Sequence, residues 1–312
     1  MVLKHAKKKS VHAPKRRPRP AASDDMVLNV LMLPLTWAKA GTRATLDALK
    51  NDNHSRLFLL VLLFTLLSRL WQPDWYSQRQ FHPDERWLFS TTAVLHYPDL
   101  PGKATGDGAG LQYGSLPLYA LSVVKDVASV LKPNLSGYDF VKVAGRAMTG
   151  LVDCVSVLLV FLLGSAIFNR RVGLVAAALL AFTPLNIQLA HFFTVDPWMA
   201  CFALATLLGC WKVFQERTIG WSVFAGVAYA AALASKSAAL PLALPLALAH
   251  LWPLLDPAVS NDRKRSELFL DRLVALGYCV GAALLAFFIF MPLIRPLDMG
   301  ETADNFRKFF RN

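Results

Sequence analysis

The sequence predicts an all-α, polytopic membrane bundle of about seven spans, with a long first loop on the far side of the membrane. Three observations predict it. The 312 residues are 55% apolar and only 17% charged, with a mean hydropathy of +0.40, too apolar for an ordinary soluble domain. Apolar runs approaching the roughly 20 residues that a span needs recur along the chain. Lys and Arg cluster in every second loop between those runs, the pattern expected of short loops retained in the cytoplasm.

Residues 1–56 read as a basic head. Eight Lys/Arg fall in the first nineteen residues, among few apolar side chains and several prolines. Such a segment stays disordered and is held on the cytoplasmic side, beside anionic lipid. The net charge of +12 therefore points to a membrane surface and not to nucleic acid. No cleavable signal peptide is evident, because the first strong apolar run begins near residue 57. Residues 26–40, broken by Pro34, read as an interfacial helix.

The bundle is expected over 57–292, with spans near 57–71, 148–168, 172–190, 197–214, 220–235, 237–255 and 272–292. The first run is short and is expected to extend at both ends. As one helix, 220–255 would run about 54 Å against a hydrocarbon core of about 30 Å. It must fold back, and "ASKSA" (234–238) is its only polar interruption. With the head inside, "NRR" (169–171), "KVFQER" (212–217) and "NDRKR" (261–265) also fall inside. The outer face then holds the loop 72–147, turns near 191–196 and 235–237, and an extracytoplasmic tail, 293–312.

Within the long loop, "HPDERWLFSTTAVLHY" reads as an amphipathic helix and "PDLPGKATGDGAG" as irregular chain. Residues 113–131 read as a helix lying on the membrane, with Leu118, Leu121 and Val124 on one side and Lys125 and Asp126 following. Cys154, Cys201, Cys210 and Cys279 lie within apolar runs without a CxxC pair and read as small buried apolar residues.

Four ionisable residues, Asp84, Glu85, Asp196 and Lys236, land on this outer face beside spans. Such groups are costly unless solvated or paired, which marks them as functional candidates. Each also has a structural reading. Pro83, Asp84 and Glu85 suit a first helical turn. Asp196 before Pro197 suits an N-cap, and Lys236 suits a snorkelling helix end. Asp153 reads as a helix-start or packing acid, and His82 and His191 as interfacial or supporting residues, with a ligand role as the alternative. Trp71, Trp75, Trp87 and Trp198 read as an aromatic belt. As a set, the acids would bind a divalent cation such as Mg2+ or Mn2+ and neutralise a phosphate leaving group. A further carboxylate would take a proton from an attacking hydroxyl or amine, and Lys236 would pair with the phosphate. A lipid carrying a phosphate-linked sugar presents that bond at this depth. A small-molecule transporter, with paired charges near the midplane, and a catalytically silent scaffold remain as alternatives.

The motif order resembles a known family. "FHPDERW" after the first span looks like the Asp-Glu signature of the C-superfamily of membrane glycosyltransferases, in the branch of dolichyl-phosphate-mannose–protein mannosyltransferases and aminoarabinose transferases. "LQYGSLPLYAL" (111–121) is similar to that branch's Tyr-Gly/Pro-x-Leu-Pro-x-Tyr segment. Residues 143–204, with Arg146, Pro184 and Asp196, and 226–248, with Lys236, resemble the following span blocks. The resemblance covers roughly 57–310. It implies a polyprenyl-phosphate-sugar donor, an acceptor protein, lipid or glycan entering from the outer or lumenal face, and direct displacement that inverts the anomeric carbon. Asp84 would be the general base or acceptor-binding acid, and Glu85 its support or a metal ligand. Asp196 would face the donor phosphate or its cation, and Lys236, Arg146 and Tyr113 would contact the donor. Two departures stand out. Ser115 occupies a neighbourhood where many relatives have Lys. Relatives also continue into further spans, so the chain reads as an N-terminal fragment, a truncated gene product, or one part of a split enzyme in which a partner chain supplies the missing spans.

Overall fold

The computed structural model describes residues 53–74, 82–99, 114–132, 137–255 and 265–292. The basic head, the 26–40 segment, Trp75, Tyr113, most of the Gly/Pro-rich stretch, "NDRKR" up to residue 264 and the 293–312 tail lie outside them. Among the described residues all regular structure is helical, as expected, and no strand occurs.

Helix α1 is Asn53–Leu70, so the first run extends only at its N-terminal end, by four residues. Across the first loop, α2 is Pro83–Val94 and α3 is Leu116–Leu131. Helix α4, Tyr138–Ile167, has 30 residues and begins ten residues before the expected span. Helix α5, Arg170–Phe182, and α6, Pro184–Ala190, are one apolar run bent by 63°. Pro184 causes the break, because it has no N–H for the carbonyl four residues back. Helix α7 is Val195–Glu216 and α8 is Ile219–Ser235. The chain reverses at Lys236, inside the "ASKSA" interruption, and passes through a 3-10 turn at Ser237–Leu242 into α9, Ala243–Leu255. Helix α10 is Arg265–Phe290.

Each of the seven expected spans thus has a helical counterpart. Five are long and apolar enough to cross a membrane, and the bent α5–α6 pair makes six. The seventh, α8, is apolar but has only 17 residues. Together they make a multi-pass membrane bundle. Helix α4 is its axis: α1 and α5 pack on one side of it and α7 on the other, and α7 continues to α8 and α8 to α10. The α8–α10 crossing is close because Gly226 presents no Cβ; one added there would collide with the Cys279 carbonyl, the small-residue packing that membrane helices use. Phe58 of α1 stacks on Phe161 of α4 at 4.0 Å.

The first loop caps one end of this bundle. Leu88, Phe89, Leu118, Leu121 and Val141 of α2, α3 and α4 form a core with Phe193, Val195 and Trp198. Gly114 lies so close to the last carbonyls of α8 that a Cβ would overlap the Ser235 oxygen. Ser115 Oγ and Tyr97 Oη donate to the Phe290 and Ile289 carbonyls at the end of α10. Residues 138–149 of α4 extend past the end of α1, since Gly150 is already level with the Arg69 carbonyl.

Three expectations change. On α3, Val124 is exposed while Lys125 is buried, 2% exposed. Lys125 Nζ donates to the carbonyls of Thr92, Ala93 and Leu95 at 3.2, 3.2 and 2.8 Å, so the cation closes the C-terminal end of α2. Trp198 is not in a belt: it is buried, and its Nε1 donates to Thr149 Oγ1 at 3.2 Å. Thr194, not Asp196, holds the N-cap position of α7. Exposed Trp71 keeps its place at the end of α1.

Candidate active site

Asp84 and Glu85 sit in the first turn of α2, where Pro83 pre-sets the backbone and His82 is the N-cap. His82 Nδ1 accepts from the Asp84 N–H at 3.3 Å. The consecutive acids point into different surroundings. The Asp84 side chain is 26% exposed, with His82 Nδ1 3.8 Å from its carboxylate. Glu85 is fully buried, held by Arg146 from the extended part of α4. Arg146 Nη2 donates to Glu85 Oε2 at 2.8 Å and Nε to Oε1 at 3.0 Å, and the Phe193 backbone N–H adds a third bond to Oε1 at 2.9 Å. The guanidinium also lies 5.9 Å from the centre of the Phe89 ring. A two-pronged pair without water is the geometry in which a buried arginine and carboxylate satisfy each other.

Asp196, in the first turn of α7, meets Lys236, at the reversal after α8, at 2.6 Å. Their side chains are 44% and 39% exposed. A pair this wet is worth about 0–1 kcal/mol. Glu85 cannot leave its partner cheaply, whereas Lys236 can exchange Asp196 for another anion.

The short segment 191–196 joins these parts. His191 ends α6, with its Nδ1 2.7 Å from the Ile187 carbonyl. The Phe192 ring lies 5.5 Å from the His82 ring beside Asp84. Phe193 supplies the N–H on Glu85, and Asp196 binds Lys236. Asp84, Glu85, Arg146, Asp196 and Lys236, from three helices and a reversal, therefore converge on this segment at one end of the bundle. Tyr113 lies outside the described residues.

Each of the candidate metal ligands has a protein partner in the structure. Both Glu85 oxygens are committed to Arg146 and Phe193, Asp196 is paired with Lys236, and His191 Nδ1 faces a carbonyl. Among the described residues, no three His, Cys, Asp or Glu side chains gather within reach of one ion.

Sequence reasoning missed a second buried ion pair below the first. Arg69, the last polar residue of α1, is fully buried and its Nε donates to Asp153 Oδ2 at 2.9 Å. It is the basic residue closing the first apolar run, a position that also suits a simple end marker. The role of the Phe193 N–H carries no sequence signal, since every residue but proline has that group.

A family model described as dolichyl-phosphate-mannose-protein mannosyltransferase matches residues 138–294, half of the chain, from the start of α4 to just beyond α10. No curated protein matches the chain. Among solved structures, the apo oligosaccharyltransferase of Archaeoglobus fulgidus is similar to it, with a TM-score of 0.49 and 16% identity over 76% of this chain and 33% of that one. This chain spans about a third of that protein's length. By the match across its helical bundle, the chain belongs to the dolichyl-phosphate-mannose-protein mannosyltransferase family.

Proposed function

We propose that the chain is a glycosyltransferase that moves a sugar from a polyprenyl-phosphate donor to an acceptor at the extracytoplasmic or lumenal face of its membrane. The observation that carries this reading is the convergence of one half-buried acid, Asp84, and one exchangeable cation, Lys236, on the segment 191–196. Lys236 leaves Asp196 for the donor phosphate. An apolar cleft of about 400 Å³, lined by Leu233, Leu246, Ala283, Leu284 and Phe287, opens three residues before it and suits a prenyl chain. The acceptor hydroxyl oxygen attacks the anomeric carbon from the side opposite the phosphate, and its proton passes to Asp84. The carbon–oxygen bond to phosphate breaks, the polyprenyl phosphate leaves with the electron pair, and the anomeric centre inverts. Arg146 and Glu85 hold the Phe193 backbone and the start of α2 in place; Glu85 is a positioning residue in this scheme. The acidic N-terminus of α2 faces the acceptor, a protein, lipid or glycan that offers a nucleophilic hydroxyl.

The test is transfer in proteoliposomes containing the full chain and a panel of polyprenyl-phosphate sugars. Wild-type protein should label an acceptor, and Asp84→Asn should insert normally and transfer nothing. Transfer by Asp84→Asn at the wild-type rate would remove Asp84 as the base. Movement of an intact solute across the vesicle without bond cleavage would replace the enzyme by a transporter.

A further inference from the structure

We propose that the buried Arg69–Asp153 pair is a positioning device, which fixes the bend between α5 and α6 and so delivers the segment 191–196 to the candidate site. Pro184 removes the N–H that would have bonded the Leu180 carbonyl, and the helix breaks there. The freed carbonyls at the end of α5 need donors, because backbone polar groups inside a membrane bundle must be satisfied by protein. Thr183 N–H turns back to Leu180 at 3.3 Å. Thr183 Oγ1 donates to the Leu179 carbonyl at 2.6 Å, and Arg69 Nη1 donates to the Ala181 carbonyl at 2.6 Å.

The same guanidinium is anchored by its Nε on Asp153 Oδ2. The other Asp153 oxygen accepts from Asn186 Nδ2 at 3.3 Å, and Asn186 is on α6. One ion pair therefore grips both sides of the break: Arg69 holds the end of α5, and Asp153 holds the start of α6. Seven residues after Asn186 comes Phe193, whose N–H meets Glu85, and three further is Asp196, partner of Lys236. The direction in which α6 leaves the bend sets where both arrive. An ion pair serving only cohesion would not need to divide its hydrogen bonds between the two sides of a proline break.

The kinetic part of this inference rests on the transferase reading; the structural part does not. Hydrogen–deuterium exchange on the full chain in nanodiscs needs no substrate. Arg69→Met should raise exchange within 185–196 about tenfold or more while α7 beyond residue 201 keeps wild-type protection. Asp153→Asn, milder and closer in shape, should loosen the same segment by less. Arg69→Lys keeps the charge against Asp153 but lacks the fork that also reaches Ala181, and should fall between wild type and Arg69→Met. In the transfer assay, kcat should drop up to about a hundredfold for Arg69→Met, in proportion to that loosening, with the acceptor KM little changed. Wild-type exchange across 185–196 in all three variants would overturn the proposal. So would exchange rising equally in α4, α5 and α7, the mark of a pair that only holds the fold together. A wild-type chain that transfers no sugar would count against the transferase reading, and the exchange pattern would still decide this one.

Discussion

Removing Arg146 should harm the protein more than removing Arg146 and the charge of Glu85 together. In the native structure both side chains are essentially without solvent, 1% and 0% exposed, and Glu85 takes two bonds from Arg146 and one from the Phe193 N–H. Arg146→Met keeps most of the aliphatic stem but strands a carboxylate with a single donor. Breaking a buried pair in this way costs about 3–5 kcal/mol. Adding Glu85→Gln removes the stranded charge. Its amide oxygen still accepts from Phe193, and the remaining deficit is about 1–3 kcal/mol, that of an imperfectly bonded neutral polar group. The double variant should therefore be more stable than Arg146→Met by about 2 kcal/mol, and the coupling in the cycle completed by the single Glu85→Gln variant exceeds that by the loss of this variant. Unfolding in mixed detergent–SDS micelles, followed by tryptophan fluorescence, measures all three. If the two single losses simply add in the double variant, the pair does not form as described and the account of Glu85 as a positioning residue fails.

Lys236→Gln should raise the KM for the polyprenyl-phosphate donor about tenfold or more, the loss of one charge-assisted contact, while stability moves by less than about 1 kcal/mol because the Asp196 pair is half exposed. A change confined to the acceptor KM would remove Lys236 from the phosphate. Lys125→Met should cost about 1–3 kcal/mol by removing the ammonium from the Thr92, Ala93 and Leu95 carbonyls, read as a lower SDS midpoint; no shift would mean that water replaces the ammonium there. Gly226→Ala should destabilise by about 1–3 kcal/mol through overpacking against the Cys279 carbonyl, whereas Gly277→Ala, where an added Cβ meets nothing within 4 Å, should be neutral or slightly stabilising. Equal midpoints for the two would show that α8 and α10 do not approach as closely as described.

The spans were legible because burial in lipid leaves a long apolar run, and the reversal at Lys236 was legible because one polar interruption had to divide a helix too long for the bilayer. Asp84 and Glu85 stood out for the same reason, as acids at the edge of such a run. What separates their roles is tertiary: Arg146 lies 61 residues from Glu85 in sequence, and nothing local tells which of two adjacent carboxylates it will claim. The early start of α4 was hidden because Lys142 and Arg146 interrupt the apolar pattern just before residue 148, yet both are buried. Lys125 misled for a related reason: its charge reads as solvent-facing, while its three carbonyl partners come from the end of a different helix.

Helix α4 also links the chemistry to the thickness of the bilayer. Its 30 residues make a rod of about 45 Å, some 15 Å more than the hydrocarbon layer. The two arginine pairs hang on that rod seven residues, or about 10 Å, apart. The lower rung is level with the end of α1, and the upper rung lies beyond it along α4. If α1 ends at the hydrocarbon boundary, a host membrane with longer acyl tails would submerge the upper rung, and any tilt of the rod would sink it further while swinging the first-loop cap sideways. Acyl length would then tune access to the proposed site, with shorter-chain lipids leaving the upper rung clear of the hydrocarbon.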